Sequence, residues 1–187
     1  MFFSAARFYS LLLIIFAHTI LSAQTISNIE TCWAQKQILT QKQTVKLGKT
    51  RNLYLSTVYC KDDNKTLGGV EIEYKLLINN QNRFAHDDNF NPNYYETRLV
   101  YLDADELEAM IFALQKLQNS LNSPPQDSTE WQYTSRAGFK IGAAYLPTWQ
   151  KWTVYIEFPD KKKNKISRKT LLEFAQLLQQ AQNHLKA

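Results

Sequence analysis

Two segments of the chain place an apolar residue every three or four positions, which is the spacing of an amphipathic helix. The first runs from Asp103 to Leu121 and the second from Ser167 to Leu185. Their leucines correspond at a constant offset of 64 positions: Leu107 with Leu171, Leu114 with Leu178, and Leu121 with Leu185. The pattern predicts two similar helices, at about 104–121 and 168–185, each with one face in the core.

Both predicted helices begin at a residue that can cap free backbone N–H groups. Asp103 precedes Glu106 by three positions, which is the spacing of a capping box, and Ser167 stands at the matching position of the second helix. The stretch at 122–125, Asn-Ser-Pro-Pro, ends the first helix. We interpret this stretch as the linker between two halves of the chain.

Alternating apolar and polar positions precede each predicted helix, as expected of half-buried antiparallel strands. The predicted strands are 53–60, 70–76 and 97–101 in the first half, and 131–135, 139–145 and 152–158 in the second. The order is therefore several strands and then a helix, twice over. It predicts an α+β fold of duplicated antiparallel strands-then-helix units, with two helices packed on sheet.

The first 23 residues have the order of a secretory signal peptide. Arg7 comes first, an apolar run at 11–17 follows, and small residues stand at Ser22 and Ala23. A membrane anchor is the alternative, but this run is shorter than the roughly 20 apolar residues that a spanning helix needs. We expect cleavage after Ala23, no membrane span in the mature chain, and a periplasmic or secreted location.

The remaining residues, 24–187, are predicted to form a single domain of two similar halves, at about 24–122 and 126–187. A composition of 44% hydrophobic residues with only 5 Gly and 5 Pro indicates an ordered globular chain. The net charge of +5 falls to +4 when Arg7 is removed. This surplus is too small to indicate a nucleic-acid-binding protein, because acidic residues are interspersed over most of the length.

Cys32 and Cys60, the two cysteines of the chain, both lie in the part predicted to be exported. Oxidising conditions there permit a disulfide. A bridge closing a loop of about 29 residues adds roughly 3 to 4 kcal/mol in the chain-entropy model. Two separate buried thiols are the alternative, and we predict the bridge.

Candidate chemistry is sparse. The chain has no Gly-rich phosphate loop, His-Glu-x-x-His, Cys-x-x-Cys or Gly-x-Ser-x-Gly motif. The carboxylates at 103–108 open a helix, where the dipole favours negative charge, and we interpret them as capping groups rather than a glycosidase pair. His86, Asp87 and Asp88 lie in the polar segment 79–95, which we interpret as a solvated loop rather than a metal site. We therefore predict no catalytic residue, cofactor or metal.

Two surface features are candidates for contact with a partner. A dense basic run consists of Lys161, Lys162, Lys163, Lys165, Arg168 and Lys169. It is interpreted as a solvated turn before a helix, with an anion-binding patch as the alternative. Trp149 follows Pro147 and Thr148 in a predicted hairpin turn, where an exposed ring can meet a partner, with packing over the neighbouring strand as the alternative. The possible partner surface is therefore Trp149 with Lys161, Lys162 and Lys163.

The sequences YLDADE at 101–106 and YTSRAGFK at 133–140 resemble small exported proteins of Bacteroidota, and Ser-Ala-Gln at 22–24 is similar to the end of their signal peptides. This resemblance implies export. The duplicated strands-then-helix order is also similar to the Whirly family of plant single-strand DNA binders. That similarity implies base stacking on aromatic rings beside a basic rim at 161–169.

Three functions follow from these observations. The leading hypothesis is an exported, non-enzymatic binding or structural module of the cell envelope, whose sheet face or turns engage a protein or cell-surface polymer. The first alternative is a Whirly-like single-stranded nucleic-acid-binding protein, which export disfavours. The second alternative is a hydrolase with an unrecognised site.

Overall fold

Two runs of four strands, each followed by a helix, make up most of this computed structural model, which describes residues 26–34, 39–61, 65–79 and 93–187. The first part contains α1 (Asn28–Ala34), β1 (Gln41–Thr50), β2 (Leu53–Lys61), β3 (Thr66–Asn79), β4 (Asn93–Asp103) and α2 (Leu107–Ser120), with a 3₁₀ turn at Ala104–Glu106. The second part contains β5 (Thr129–Thr134), β6 (Lys140–Leu146), a 3₁₀ turn (Pro147–Trp149), β7 (Lys151–Glu157), β8 (Lys163–Ile166) and α3 (Arg168–Lys186).

Each run of strands forms an antiparallel sheet in chain order. Sheet 1 is β1-β2-β3-β4 and sheet 2 is β5-β6-β7-β8. The predicted α+β fold of duplicated units is therefore confirmed. The predicted signal peptide with its cleavage site, and the cluster at His86, lie outside the described residues.

Three elements differ from the sequence prediction. β1 was missed because its side chains are mostly exposed, so no apolar alternation marks it. β8 occupies part of the basic run that was interpreted as a turn. α1 spans only 7 residues and buries Ile29 and Cys32, which is too short a pattern to show helical periodicity.

The two helices of the repeat connect the halves to each other. α3 packs on β1 and β2 of sheet 1, α2 packs beside β5 of sheet 2, and the helices contact one another. Small residues permit the approach of α3, since a Cβ on Gly48 or Gly68 would stand 2.9 Å from a leucine methyl group of that helix. Each helix thus covers the sheet of the other half, and both halves share one core.

The equivalence of the two helices extends to burial. Leu114 and Leu178, which correspond at the offset of 64, are both fully buried, and so are Met110 and Phe174. The strands do not follow this offset, because those of sheet 1 have 9 to 14 residues and those of sheet 2 have 4 to 7. The repeat is therefore one of element order and helix packing.

α1 lies on the face of sheet 1 opposite to α3. Cys32 of α1 is bonded to Cys60 of β2, with their Cα atoms 6.3 Å apart, so the predicted disulfide is confirmed. Gly69 of β3 lies beneath this helix. A Cβ at Gly69 would stand 2.8 Å from the Ile29 side chain and 2.4 Å from the Leu102 carbonyl oxygen. Glycine at this position lets α1 approach the sheet.

A buried carboxylate fixes the start of α1. Asp103 Oδ2 accepts a hydrogen bond from the Asn28 N–H at 2.8 Å, and Oδ1 accepts one from the Ile29 N–H at 3.1 Å. Arg136, in the turn between β5 and β6, donates to Asp103 Oδ2 at 2.7 Å and to Asp105 Oδ2 at 2.7 Å. Asp103 therefore joins α1, the end of sheet 1 and a turn of sheet 2.

Glu106 completes this junction. Its carboxylate accepts from the backbone N–H of Arg136 at 2.5 Å and from the N–H of Asp103 at 3.4 Å. The second bond is the reach-back contact of the predicted capping box. The Tyr133 hydroxyl donates to the Glu106 carbonyl oxygen at 3.4 Å. The acidic start of α2 thus has a structural role that extends beyond its own helix.

Truncation of the paired leucines should destabilise the protein to a similar degree. We expect Leu114→Ala and Leu178→Ala each to lower the free energy of unfolding by about 2 to 5 kcal/mol, because both side chains leave a cavity in the shared core. Urea unfolding measures the change. Leu172→Ala is the control on α3, since that side chain is 49% exposed. A loss below about 1 kcal/mol at either core position would contradict the equivalence.

The disulfide predicts a specific chemical behaviour. In denaturant without reductant, Cys32 and Cys60 should resist alkylation, and after reduction both should be labelled, as intact mass spectrometry will show. Cys60→Ser should lower stability by roughly 3 kcal/mol, because the unfolded chain loses its loop constraint. Alkylation of either cysteine before reduction would show that the bridge does not form.

Candidate binding groove

The structure places the predicted partner residues at opposite ends of one strand. Trp149 lies in the 3₁₀ turn before β7, with 66% of its surface exposed. Lys161, Lys162 and Lys163 lie in the turn after β7 and at the start of β8. Because β7 has 7 residues and a strand rises about 3.3 Å per residue, roughly 20 Å separate the two groups. The fold does not bring them together.

The basic turn is docked against sheet 1 through a cluster of opposite charges. Arg98 of β4 is buried and contacts Glu96 at 3.1 Å and Asp160 of the turn at 3.2 Å. Lys162 Nζ stands 3.8 Å from the same Glu96 carboxylate. This arrangement links the two halves, and it provides Lys162 with a carboxylate partner.

Lys163 is a strand residue with partners on the outer face of sheet 2. Its Nζ lies 3.0 Å from Glu130 Oε1 and 4.3 Å from the centre of the Tyr155 ring. The interpretation of the basic run as a solvated turn before a helix is therefore wrong in part, because Lys163–Ile166 forms β8. The helix begins at Arg168, as predicted.

A groove of about 460 Å³ lies beside Trp149, lined by the start of β7, the end of β8 and the first residues of α3. It exists because β8 is shorter than β7. The last pair between these strands is Val154 with Ile166, whereas β6 continues to pair with β7 as far as Lys151. No strand of the described chain pairs with residues 151–153 on the side of β8, so the edge of β7 is open there.

Aromatic and basic side chains surround this open edge. Trp149, Trp152, Lys151, Lys165 and Arg168 all line the groove. Lys151 and Lys165 are exposed, and neither forms an ion pair with a described residue. Arg168 Nη2 donates to the Leu121 carbonyl oxygen at 2.7 Å, which is a contact with the end of α2. The two lysines are therefore cations of the groove without a described ion-pair partner, and Arg168 keeps its charge beside them.

Trp152 forms one wall of the groove, and its ring packs 5.3 Å from that of Tyr145. The side chain is buried, and its indole N–H has no acceptor within the described residues. A buried donor without a partner costs about 1 to 3 kcal/mol. The sequence pattern indicated Trp152 as a core position but gave no sign that it lines a groove.

The outer face of sheet 2 carries a second polar cluster. Tyr155 is buried, with 3% of its surface exposed, and its hydroxyl donates to Glu130 Oε1 at 2.5 Å. Burial, and then Glu130, raise the pKa of Tyr155, while the bonds from Tyr155 and Lys163 lower the pKa of Glu130. Glycine is required at 142, since a Cβ there would collide with the Trp131 carbonyl oxygen of the neighbouring strand and stand 2.8 Å from this hydroxyl. The neutral Tyr155 of β7 thus reaches across β6 to Glu130 of β5, and Lys163 of β8 contacts the same carboxylate.

His184 is also occupied by structural contacts. Its Nδ1 lies 3.2 Å from the Thr57 hydroxyl and 3.1 Å from the Tyr59 hydroxyl, which anchors the end of α3 on β2. Within the described ranges, no group of three or more His, Cys, Asp or Glu side chains is arranged to hold a metal ion. None of the helices in that part of the chain has both the length and the apolar character that crossing a lipid bilayer requires.

Comparison of the chain with protein-family models, with curated proteins and with solved structures gives no match.

Two tyrosines with raised pKa values, the half-buried Tyr133 and the buried Tyr155, predict a loss of stability at alkaline pH. Burial raises the pKa of Tyr133 to about 12 and also raises that of Tyr155. In the unfolded chain tyrosine ionises near pH 10. Above this pH, ionisation stabilises the unfolded state, whereas the two tyrosines of the folded state stay neutral. Stability should fall as the pH rises from about 10, measured by urea unfolding.

The phenylalanine variants identify the source of this loss. Between about pH 10 and 12, the free energy of unfolding of Tyr155→Phe should fall less steeply than that of the parent protein, because this variant lacks one tyrosine with a raised pKa. Tyr95→Phe is the control, as this side chain is exposed. Equal slopes for the parent and Tyr155→Phe would contradict the assignment.

Proposed function

We propose that this chain is an exported, non-enzymatic binding module of the cell envelope, and that it engages a protein or cell-surface polymer through the groove beside Trp149. The observation that carries the proposal is the exposed ring of Trp149 beside two cations, Lys151 and Lys165, that have no carboxylate partner among the described residues. Exposed aromatic side chains next to basic groups are typical of binding hot spots.

Export is supported by two independent features. The order of charge, apolar run and small residues at 1–23 is that of a signal peptide. The Cys32–Cys60 bridge is a bond that persists in oxidising compartments and is rare in the cytosol.

The polar groups of the described chain favour binding over catalysis. Asp103 and Glu106 are held by backbone N–H groups and Arg136, and Tyr155 is held neutral by Glu130. A catalytic group needs a pKa near the working pH and access to substrate, whereas these groups are committed to bonds that support the fold.

The nucleic-acid alternative has weaker support. Phosphate contacts supply most of the affinity of such proteins, so lysines must be available to make them. Lys162 and Lys163 face Glu96 and Glu130, and roughly 20 Å of strand separates them from Trp149. We therefore rank this function second.

The test compares two exposed aromatic residues. Trp149→Ala should reduce retention of the purified protein on washed native envelopes about ten-fold, while stability changes by less than about 0.5 kcal/mol. Phe112→Ala is the matched control, since this ring is 57% exposed on α2, away from the groove. Retention is measured by co-sedimentation over a range of protein concentrations.

Two outcomes would contradict the proposal. In the first, Phe112→Ala lowers envelope retention as much as Trp149→Ala. In the second, fluorescence anisotropy with mixed-sequence single-stranded oligonucleotides at physiological salt gives sub-micromolar affinity, and this affinity weakens when Lys162 and Lys163 are changed to alanine. The second result would favour the Whirly-like function.

A further inference from the structure

The open edge of β7 supplies backbone hydrogen-bonding groups as well as side chains. Along an antiparallel strand, successive residues direct their N–H and C=O groups to alternate sides. At 151–153 one side pairs with β6, while the other faces the groove where β8 has ended. A short stretch of about 10 Å of strand edge, at 3.3 Å per residue, is thus available next to Trp149.

A strand edge of this kind accepts an extended peptide. In strand addition, main-chain bonds supply affinity and the flanking side chains select the sequence. A glycan or a nucleic acid has no regular ladder of amide donors and carbonyl acceptors to pair with this edge. The edge therefore favours a peptide segment over the other ligands that aromatic rings and lysines can bind.

The flanking charges define the kind of peptide. Lys151 lies on the exposed edge itself, and Lys165 lies beside it on β8, opposite Tyr155. No described carboxylate neutralises either cation. A segment with Asp or Glu at alternate positions places its carboxylates on one face, which is complementary to two lysines on one face of sheet 2.

On the basis of the proposed function, we infer that the occupant of the groove is an acidic extended peptide segment of a partner protein, added to the edge of β7 as a short strand in the place that β8 leaves empty. Trp149 covers one end of the added strand. Lys151 and Lys165 pair with its carboxylates.

The probe is a short fluorescein-labelled peptide that alternates glutamate with valine. We expect saturable binding by anisotropy, and a decrease of about ten-fold or more for the double variant Lys151→Glu/Lys165→Glu. Lys46→Glu is the control, because this exposed lysine lies on β1 of sheet 1. The double variant should in turn bind the corresponding lysine-valine peptide better than the parent protein does.

Backbone pairing is tested separately from charge. Two versions of the glutamate peptide carry N-methyl groups on alternate amides, one version on each set. Strand addition uses one edge of the peptide, so one version should lose binding and the other retain it. Amide hydrogen exchange should show new protection within 151–153 when the unmodified peptide is bound.

This inference would be overturned if both methylated versions bound as well as the parent peptide, or if polygalacturonate bound equally tightly with the same dependence on the two lysines. It would also be overturned if sedimentation velocity showed that the protein self-associates and hydrogen exchange showed this edge protected in the protein alone. Failure of the peptide to bind would also overturn it. If Trp149→Ala still reduces envelope retention in that case, the proposed function stands with another ligand. If retention is also unchanged, both proposals are wrong.

Discussion

The fold depends on the neutralisation of one buried carboxylate, that of Asp103, which is 4% exposed. An unpaired charge in such a place costs several kcal/mol. Two backbone N–H groups at the start of α1 and the guanidinium of Arg136 remove this cost. The N-terminus of a helix favours negative charge, so the same contact stabilises both α1 and the carboxylate. Arg136 belongs to the other half of the chain, which makes the charge a link between the sheets.

The position of sheet 2 follows from contacts of this type at two places. The turn between β5 and β6 is held at Asp103 and Glu106, and the turn between β7 and β8 is held at Arg98. Between these two anchors, α2 and α3 fill a core common to both sheets. The groove beside Trp149 lies at neither anchored turn, and so its lysines are left without the carboxylate partners that the anchored basic residues have.

The sequence predicted those elements in which burial repeats with a regular period. The leucines of the two long helices and the alternation at 70–76 belong to surfaces with one buried face. At 152–158 the alternating apolar residues lie in the core, although Tyr155 on the other face of the strand is buried as well. α1 has too few turns for a period, and its position depends on a disulfide and on a carboxylate 74 residues away in the chain. β8 consists mainly of polar residues, and its position is set by backbone pairing with β7. Contacts of this kind are not visible in local patterns.

The candidate site also combines features that the local sequence predicts with features that depend on contacts between distant residues. The sequence placed Trp149 in a hairpin turn after Pro147, either exposed or packed over the neighbouring strand, and in the structure the ring is exposed. Lys161 to Lys163 were grouped with Trp149 by chemical character, yet strand pairing places Lys151 and Lys165 beside that ring instead. Which lysines meet an aromatic ring depends on strand length and register, and one sequence does not provide either.

The open edge arises where a strand gives way to a helix. Ser167 follows the last residue of β8 and caps α3, because its hydroxyl accepts a hydrogen bond from the N–H of Thr170 in the first turn of that helix. Once the chain has turned into that helix, it no longer runs alongside β7, and residues 151–153 lose the partner strand that longer pairing would give them. The helix then carries Leu178 into the shared core. The cap that allows α3 to close the core is therefore also the reason that sheet 2 has an open edge at 151–153.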